Sequence, residues 1–391
     1  MTGFRRRLLG LILSAGATLF LYLQSPLAAE AQLSTNDHLA DPGFWPTKND
    51  APRNQYAGAA TCTSCHGAIA ASQKGTSMSQ TSIRADNAGL LHSHPMMRFA
   101  FGPYRYEIKT ARTGSTYTVS DGKRTQAATL LWTFGTGRVG QSYLFKKEDG
   151  KFYEARVTYF STLHTLGFTP DRALTSAKSV EEAMYRPVDA AEVERCFACH
   201  TTASAVDGRV DEKNLIPGVS CEACHGPGAK HASAMSLAKI TGDVDLTAPT
   251  PFNPAHLSPT DSVDFCGACH STWWDVKLAG IRGVSNVKAQ PYRLENSKCW
   301  GKGDARLTCI ACHDPHVELQ TDSASYDKAC LSCHVNSSEK KTSAEFPGAA
   351  CRVSTKDCVS CHMPKVYVPE MHFNFTDHRI RIPHAGEPYP D

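Results

Sequence analysis

Between residues 100 and 160, apolar and polar positions alternate with a period of two, the period of a strand whose side chains point to opposite faces in turn. The alternation runs over Tyr104 to Lys109, Thr116 to Val119, Leu130 to Phe134, Ser142 to Phe145 and Phe152 to Val157. Thr113-Gly114, Asp121-Gly122 and Asp149-Gly150 lie between these runs, where turn-forming residues belong. The pattern predicts an antiparallel β-meander. Elsewhere the two-residue period fades. Val180 to Met184, Ala190 to Arg195 and Ala232 to Lys239 read as short helices. Gly, Pro, Ser and Asp fill much of the sequence around them, and the tail after Pro383 reads as irregular.

The N-terminus has its own pattern. Arg5, Arg6 and Arg7 precede an apolar run from Leu8 to Tyr22, and Ala29-Glu30-Ala31 offers small residues for cleavage before Gln32. This predicts a signal peptide over 1–31, with an uncleaved anchor as the alternative. Pro26 follows the run closely, and the run is short for a membrane span. No later segment is apolar enough for a transmembrane span, so the mature chain is expected to have none. Export points to the periplasm or the cell surface.

The cysteines change the picture most. There are 16. Fourteen fall in seven copies of Cys-x-x-Cys-His: Cys62, Cys65 and His66; Cys196, Cys199 and His200; Cys221, Cys224 and His225; Cys266, Cys269 and His270; Cys309, Cys312 and His313; Cys330, Cys333 and His334; Cys358, Cys361 and His362. Two thiols at this spacing reach the two vinyl groups of one haem, and the next residue, His, takes an axial position on its iron. Zinc would use cysteine pairs two at a time and would not require His after each. Disulfides would not explain the histidines either. The expected cofactors are therefore seven c-type haems.

Six motifs lie between Cys196 and His362, 167 residues, or one per roughly 28 residues. So little protein cannot wrap six haems separately, and the haems themselves must supply apolar interior by packing on each other. The expected fold is a mainly α and irregular multihaem cytochrome c with stacked haems and an antiparallel β insert. Its expected parts are a signal peptide (1–31), a single-haem segment (32–99), the β insert (100–165) and a six-haem domain (166–391). Charge adds little. The chain carries +3, and residues 1–31 hold three Arg and one Glu, which leaves +1 without them. Haem propionates would make the loaded protein acidic, so nucleic acid is not an expected partner.

Ten histidines stand outside the motifs: His38, His92, His94, His164, His231, His256, His316, His372, His378 and His384. His316 lies three residues after His313, and His231 six after His225. Neither easily reaches the far face of its own haem, so each is expected to ligate a neighbouring one. His378 is the favoured ligand of the three that follow the last motif. His92, His94 and His164 flank the predicted sheet and are candidates for distant haems. His38 reads as a surface residue, and Met78 is the best methionine candidate, with an apolar helix residue as its plainer reading. Cys299 and Cys351 are left over and are expected to pair in a disulfide.

Gly218 to Gly228, Cys309 to His316, Cys358 to Pro364 and Phe375 to His378 together resemble one superfamily. It contains the pentahaem nitrite reductases, the hydroxylamine oxidoreductases and their tetrahaem electron-accepting cytochrome, and the resemblance is closest to relatives of the last. It covers about residues 57–70 and 190–382 and implies haem pairs with mostly two His per iron. His231, His316 and His378 match its distal-histidine positions. All seven motifs here end in His, whereas the catalytic motif of the nitrite reductases usually ends in Lys, and no motif marks the crosslinked Tyr of the hydroxylamine oxidoreductases. The close spacing of the motifs, export and the missing catalytic signature together lead to the expectation of extracytoplasmic electron transfer between donor and acceptor proteins. The alternative is an oxidoreductase acting on a small nitrogen or sulfur oxyanion at a five-coordinate haem, with Arg98, Tyr143 and Arg156 as candidate anion-binding groups. A third reading gives the sheet edge to a redox partner or to a second copy of the chain.

Overall fold

The computed structural model describes residues 51–170, 177–206, 209–243, 250–300, 307–334, 351–384, 386 and 389. The signal-peptide reading and His38 lie outside them. Two short helices, α1 (Ala59–Thr63) and α2 (Gly67–Lys74), bracket the first motif. The chain then enters the sheet with β1 (Ser82–Arg84), crosses α3 (Gly89–Ser93) and builds a meander: β2 (Met96–Phe101), β3 (Tyr104–Ala111), β4 (Gly114–Ser120), β5 (Thr125–Phe134), β6 (Gly140–Lys146) and β7 (Phe152–Ala155). Next come β8 (Val157–Phe160) and β9 (Thr165–Phe168), then α4 (Val180–Met184) and β10 (Tyr185–Pro187).

The sheet has ten antiparallel strands in the order β10-β7-β6-β5-β4-β3-β2, with β1 on β5 and the β8–β9 hairpin on β6. It curls until β9 meets β2. Thr165 Oγ1 donates to the Arg98 carbonyl at 3.0 Å, and Phe168 packs edge-on to Phe99 and Phe101 at 5.1 and 5.0 Å. The result is an incomplete barrel, filled by Tyr106, Ile108, Tyr117, Val119, Tyr143, Phe145 and Val157 and closed by Val180, Ala183 and Met184 of α4. Ser179 caps α4 by accepting from the Glu182 N–H at 3.1 Å. Tyr117 anchors the lid by donating its hydroxyl to the Met184 carbonyl at 2.9 Å.

The meander expected from alternation is present, and it is wider than the alternation suggests. Strands at 82–84 and 185–187 join it from segments too short to show a period. Phe152 to Val157, expected as one strand, breaks at Arg156. There the backbone N–H turns to the Met184 carbonyl and the guanidinium to the Glu182 carbonyl at 2.8 Å; β7 and β8 both pair with β6, but on their other sides β7 pairs with β10 and β8 with β9.

Beyond the sheet, helices and loops dominate. Asp189 caps α5 (Ala190–His200), accepting from Glu192 N–H at 2.8 Å. Two two-stranded ladders follow, β11 (Thr201–Thr202) with β14 (Ile216–Pro217) and β12 (Ala205–Val206) with β13 (Arg209–Val210). The helices α6 (Cys221–His225), α7 (Ala229–Thr241), α8 (Pro259–His270), α9 (Trp273–Leu278) and α10 (Gln290–Glu295) come next. Then α11 (Asp327–Leu331) and α12 (Cys358–His362) lead to a hairpin of β15 (Lys365–Val368) and β16 (Phe373–Thr376).

Candidate functional site

Each motif is local helical geometry put to use. In the first, fifth and sixth motifs the His N–H bonds the carbonyl of the leading Cys, at 2.8, 2.9 and 3.1 Å. This i→i+4 bond closes one turn. Residues i, i+3 and i+4 of a helical turn share a face, so both thiols and the imidazole point the same way. The third and seventh motifs are α6 and α12 themselves, and the second and fourth form the last turns of α5 and α8.

The motifs come together in an order different from their order in the chain. Cys62 meets Cys221, Cys199 meets Cys269, Cys266 meets Cys309, and Cys330 meets Cys358, each pair within hydrogen-bond reach. Cys224 and Cys269 lie within electrostatic reach, as do Cys312 and Cys330. The spatial sequence is therefore first, third, fourth, fifth, sixth, seventh, with the second joined to the fourth.

The imidazoles repeat this arrangement. His270 lies within electrostatic reach of both His200 and His313. Burial lowers the pKa of His200 to about 4, against a hydrogen bond with Thr81 that favours the charged form. Burial likewise lowers His270 and His313, and it takes His378 to about 4 with help from His313. Four imidazoles are thus held neutral, the form that binds metal.

Two ring pairs have a specific geometry. His225 and His316 lie with ring centres 6.0 Å apart and planes 9° from parallel; His313 and His378 lie at 6.2 Å and 37°. Two imidazoles that ligate one metal from opposite sides, each nitrogen about 2 Å from it, hold their ring centres about 6 Å apart. In three of these four rings Nδ1 is engaged. His225 Nδ1 faces the Phe252 carbonyl at 2.8 Å, His316 Nδ1 faces Asp314 Oδ1 at 3.0 Å, and His378 Nδ1 faces the Thr376 carbonyl at 3.1 Å. That leaves each Nε2 for a metal, with the Nδ1 partner fixing tautomer and orientation. His231, on α7, has a buried Nδ1 without a hydrogen-bond partner. The donor set fits haem: two thiols and an imidazole on each turn, with a second imidazole about 6 Å away, ring centre to ring centre, at the third and fifth motifs.

The other histidines are placed differently. His92 spends Nε2 on the Asp86 carbonyl at 2.9 Å, and His94 packs on Tyr159 with Nδ1 facing the Leu90 carbonyl. His164 is exposed with φ of 52° in the β8–β9 turn. His256 faces Asn253, His372 packs on Phe160, and His384 is exposed. Met78 is half-buried, and its carbonyl receives the Val219 N–H at 3.0 Å. Arg98 pairs with Glu107 on the outer face of the sheet, Tyr143 is wholly inside the barrel, and Arg156 is turned to the Glu182 carbonyl. Cys299 and Cys351 are not bridged. Cys299 lies near Cys312, while Cys351 is exposed and its thiol faces the backbone N–H groups of Ser354 and Val353.

Sequence reading misses three devices. Glu222, inside the third motif, is buried and accepts backbone N–H bonds from Ala57 (2.7 Å), Gly58 (2.8 Å) and Gly228 (2.7 Å). It ties the segment leading to the first motif onto the third. Glu318, two residues past His316, accepts from Ser77 and Arg138 and so joins the fifth-motif loop to the barrel. The third is a bulge in β5. The register slips between Leu130 and Trp132, so Leu130 faces the barrel core while Trp132 faces a second core around Phe197. Trp132 and Phe134 meet Phe197 edge-on at 5.2 and 5.3 Å, and Phe134 meets His200 at 5.0 Å. The sheet thus forms an aromatic wall beside the second motif.

Residues 157–226, from β8 through the third motif, match the family described as cytochrome c554 and c-prime. The multiheme cytochrome MtrA of Shewanella baltica (strain OS185) is 27% identical over 210 residues, 42% of this chain. The match spans 59% of that relative's length. The crystal structure of the outer cell wall cytochrome OcwA is similar over 84% of this chain and 80% of that one, with a TM-score of 0.46 and 13% identity. The family match and the likeness to MtrA support a multihaem cytochrome c carrying c-type haem. Among the described residues no helix is long and apolar enough to cross a membrane.

Proposed function

We propose that this chain is an extracytoplasmic electron carrier holding seven c-type haems in a connected row. The observation that carries the reading is the spatial chaining of all seven motifs, each with thiols or histidines against those of a neighbour. A haem, when bound, lets its iron exchange one electron between ferric and ferrous states. The chain's own residues do the rest. The thiol pairs fix each haem to one turn of backbone. His316 would serve the third motif together with His225, and His378 the fifth together with His313. Each would thereby tie a residue near one motif to a haem held by another, and so fix the spacing of neighbouring motifs. His231 remains a candidate ligand on α7, and His92, His94 and His164 remain candidates at the sheet. The ends of the row, at the first, second and seventh motifs, are where donor and acceptor proteins would dock.

The first test is a haem-to-protein ratio with low-temperature EPR of the oxidised holoprotein. Seven haems, all low-spin, are expected. Fewer haems would break the row. A high-spin ferric signal near one per chain would instead favour the oxidoreductase reading, and turnover of nitrite, hydroxylamine and tetrathionate would then decide the substrate.

A further inference from the structure

The segment from Asp377 to Arg381 is held by a set of buried polar side chains. Arg293, on α10, sends Nε and Nη2 to the two carboxylate oxygens of Asp377, at 2.8 and 2.9 Å. Both side chains are completely buried. Arg381 Nη1 adds a bond to Asp377 Oδ2 at 2.6 Å. Ser297, just past α10, grips the same segment: its Oγ receives the Ile380 N–H at 2.8 Å and donates to the His378 carbonyl at 3.2 Å. A buried ion pair gives little net stability over an apolar pair of the same shape, because both charges lose their hydration. What a two-pronged pair does supply is direction.

The segment so directed touches two motifs. His378 follows Asp377 and faces His313 of the fifth motif. Three residues on, the Arg381 carbonyl faces His362 Nδ1 of the seventh at 2.9 Å, and the Arg381 N–H bonds the His362 carbonyl at 3.1 Å. We infer that Arg293 and Asp377 are positioning residues that set, through one segment, the distal ligand of the fifth haem and the imidazole orientation of the seventh. The inference rests on the reading of His378 and His362 as iron ligands.

The test is EPR and spectropotentiometric titration of Arg293→Gln holoprotein beside His378→Ala and the parent. With His378→Ala, one haem per chain is expected to turn high-spin. With Arg293→Gln, the same haem is expected to turn partly high-spin and a second to shift its midpoint potential, while Arg293→Lys, which keeps the charge and loses the fork, gives a smaller high-spin fraction. A merely structural role would lower yield or melting temperature without singling out two haems. Seven low-spin haems with unshifted potentials in Arg293→Gln, while His378→Ala turns one high-spin, would overturn the inference and leave the ligand reading standing. An unchanged His378→Ala would overturn the ligand reading itself. If Arg293→Gln does not load haem, Ser297→Ala decides. It removes two hydrogen bonds and no charge; a partial high-spin signal supports the inference, and none sinks it.

Discussion

Glu295 shows how much one side chain's surroundings can be worth in this protein. It ends α10, and burial, with the neighbouring Asp264 carboxylate adding to it, raises its pKa from 4.5 to about 7. Between those two values the folded state keeps a proton that the unfolded chain releases, so stability falls as pH rises through the window and the cost is complete above it. Glu295→Gln is therefore expected to stabilise the holoprotein by up to about 3 kcal/mol near pH 8 and to be neutral below about pH 4.5. Thermal melts at the two pH values check this; an equal effect at both would refute it. Glu222 works the other way. Glu222→Ala leaves three backbone N–H groups to find new partners and is expected to cost at least about 3 kcal/mol. Urea titration would measure it. The seven Cys-x-x-Cys-His turns were legible in the sequence because their chemistry is contiguous. Glu222 and Arg293 were not. Inside a motif Glu222 looks like filler, and its partners Ala57 and Gly58 sit 165 and 164 residues away. Arg293 is one basic residue among 41 until Asp377, 84 residues on, gives it a meaning.

At the scale of elements, legibility followed the length of the repeat. The long strands announced themselves by alternation, and α4 falls on the expected Val180 to Met184. The three-residue strands β1 and β10 are too short to show any period, and they owe their conformation to β5 and β7. The bulge in β5 was hidden for a related reason: alternation assigns faces only while the register is unbroken. Its effect is to give one strand two duties, a barrel core before the slip and a wall beside the second motif after it. Trp132→Ala should open that wall. The expected cost is about 3–5 kcal/mol, measured by denaturant titration of the holoprotein. The reduction potential of one haem should move as water reaches it, and seven unmoved potentials would show that the wall does not face a haem.

For the whole molecule, the order of motifs in space matters more than their order in the chain. The fourth motif has three neighbours, the second, third and fifth, so the row is branched. No sequence pattern could show this, because it arises from which turns the loops bring together. The barrel takes part in that arrangement in a way its position between the first and second motifs does not advertise. Glu222 closes a ring of chain back to Ala57, 165 residues around. Closing a flexible ring grows costlier with its length, about 0.6 kcal/mol for each doubling. But β1 and β10, where the chain enters and leaves the barrel, belong to one sheet, so a folded barrel shortens the ring to its two flanks. The barrel is then a clasp, and its folding should precede and favour the meeting of the first and third motifs. A core substitution far from any motif, Tyr117→Ala, is expected to expose the first motif to proteolysis before the fourth to seventh, as limited digestion with mass spectrometry would reveal. In that light the barrel between the first two motifs is a splint that keeps the segments on either side of it within reach of each other.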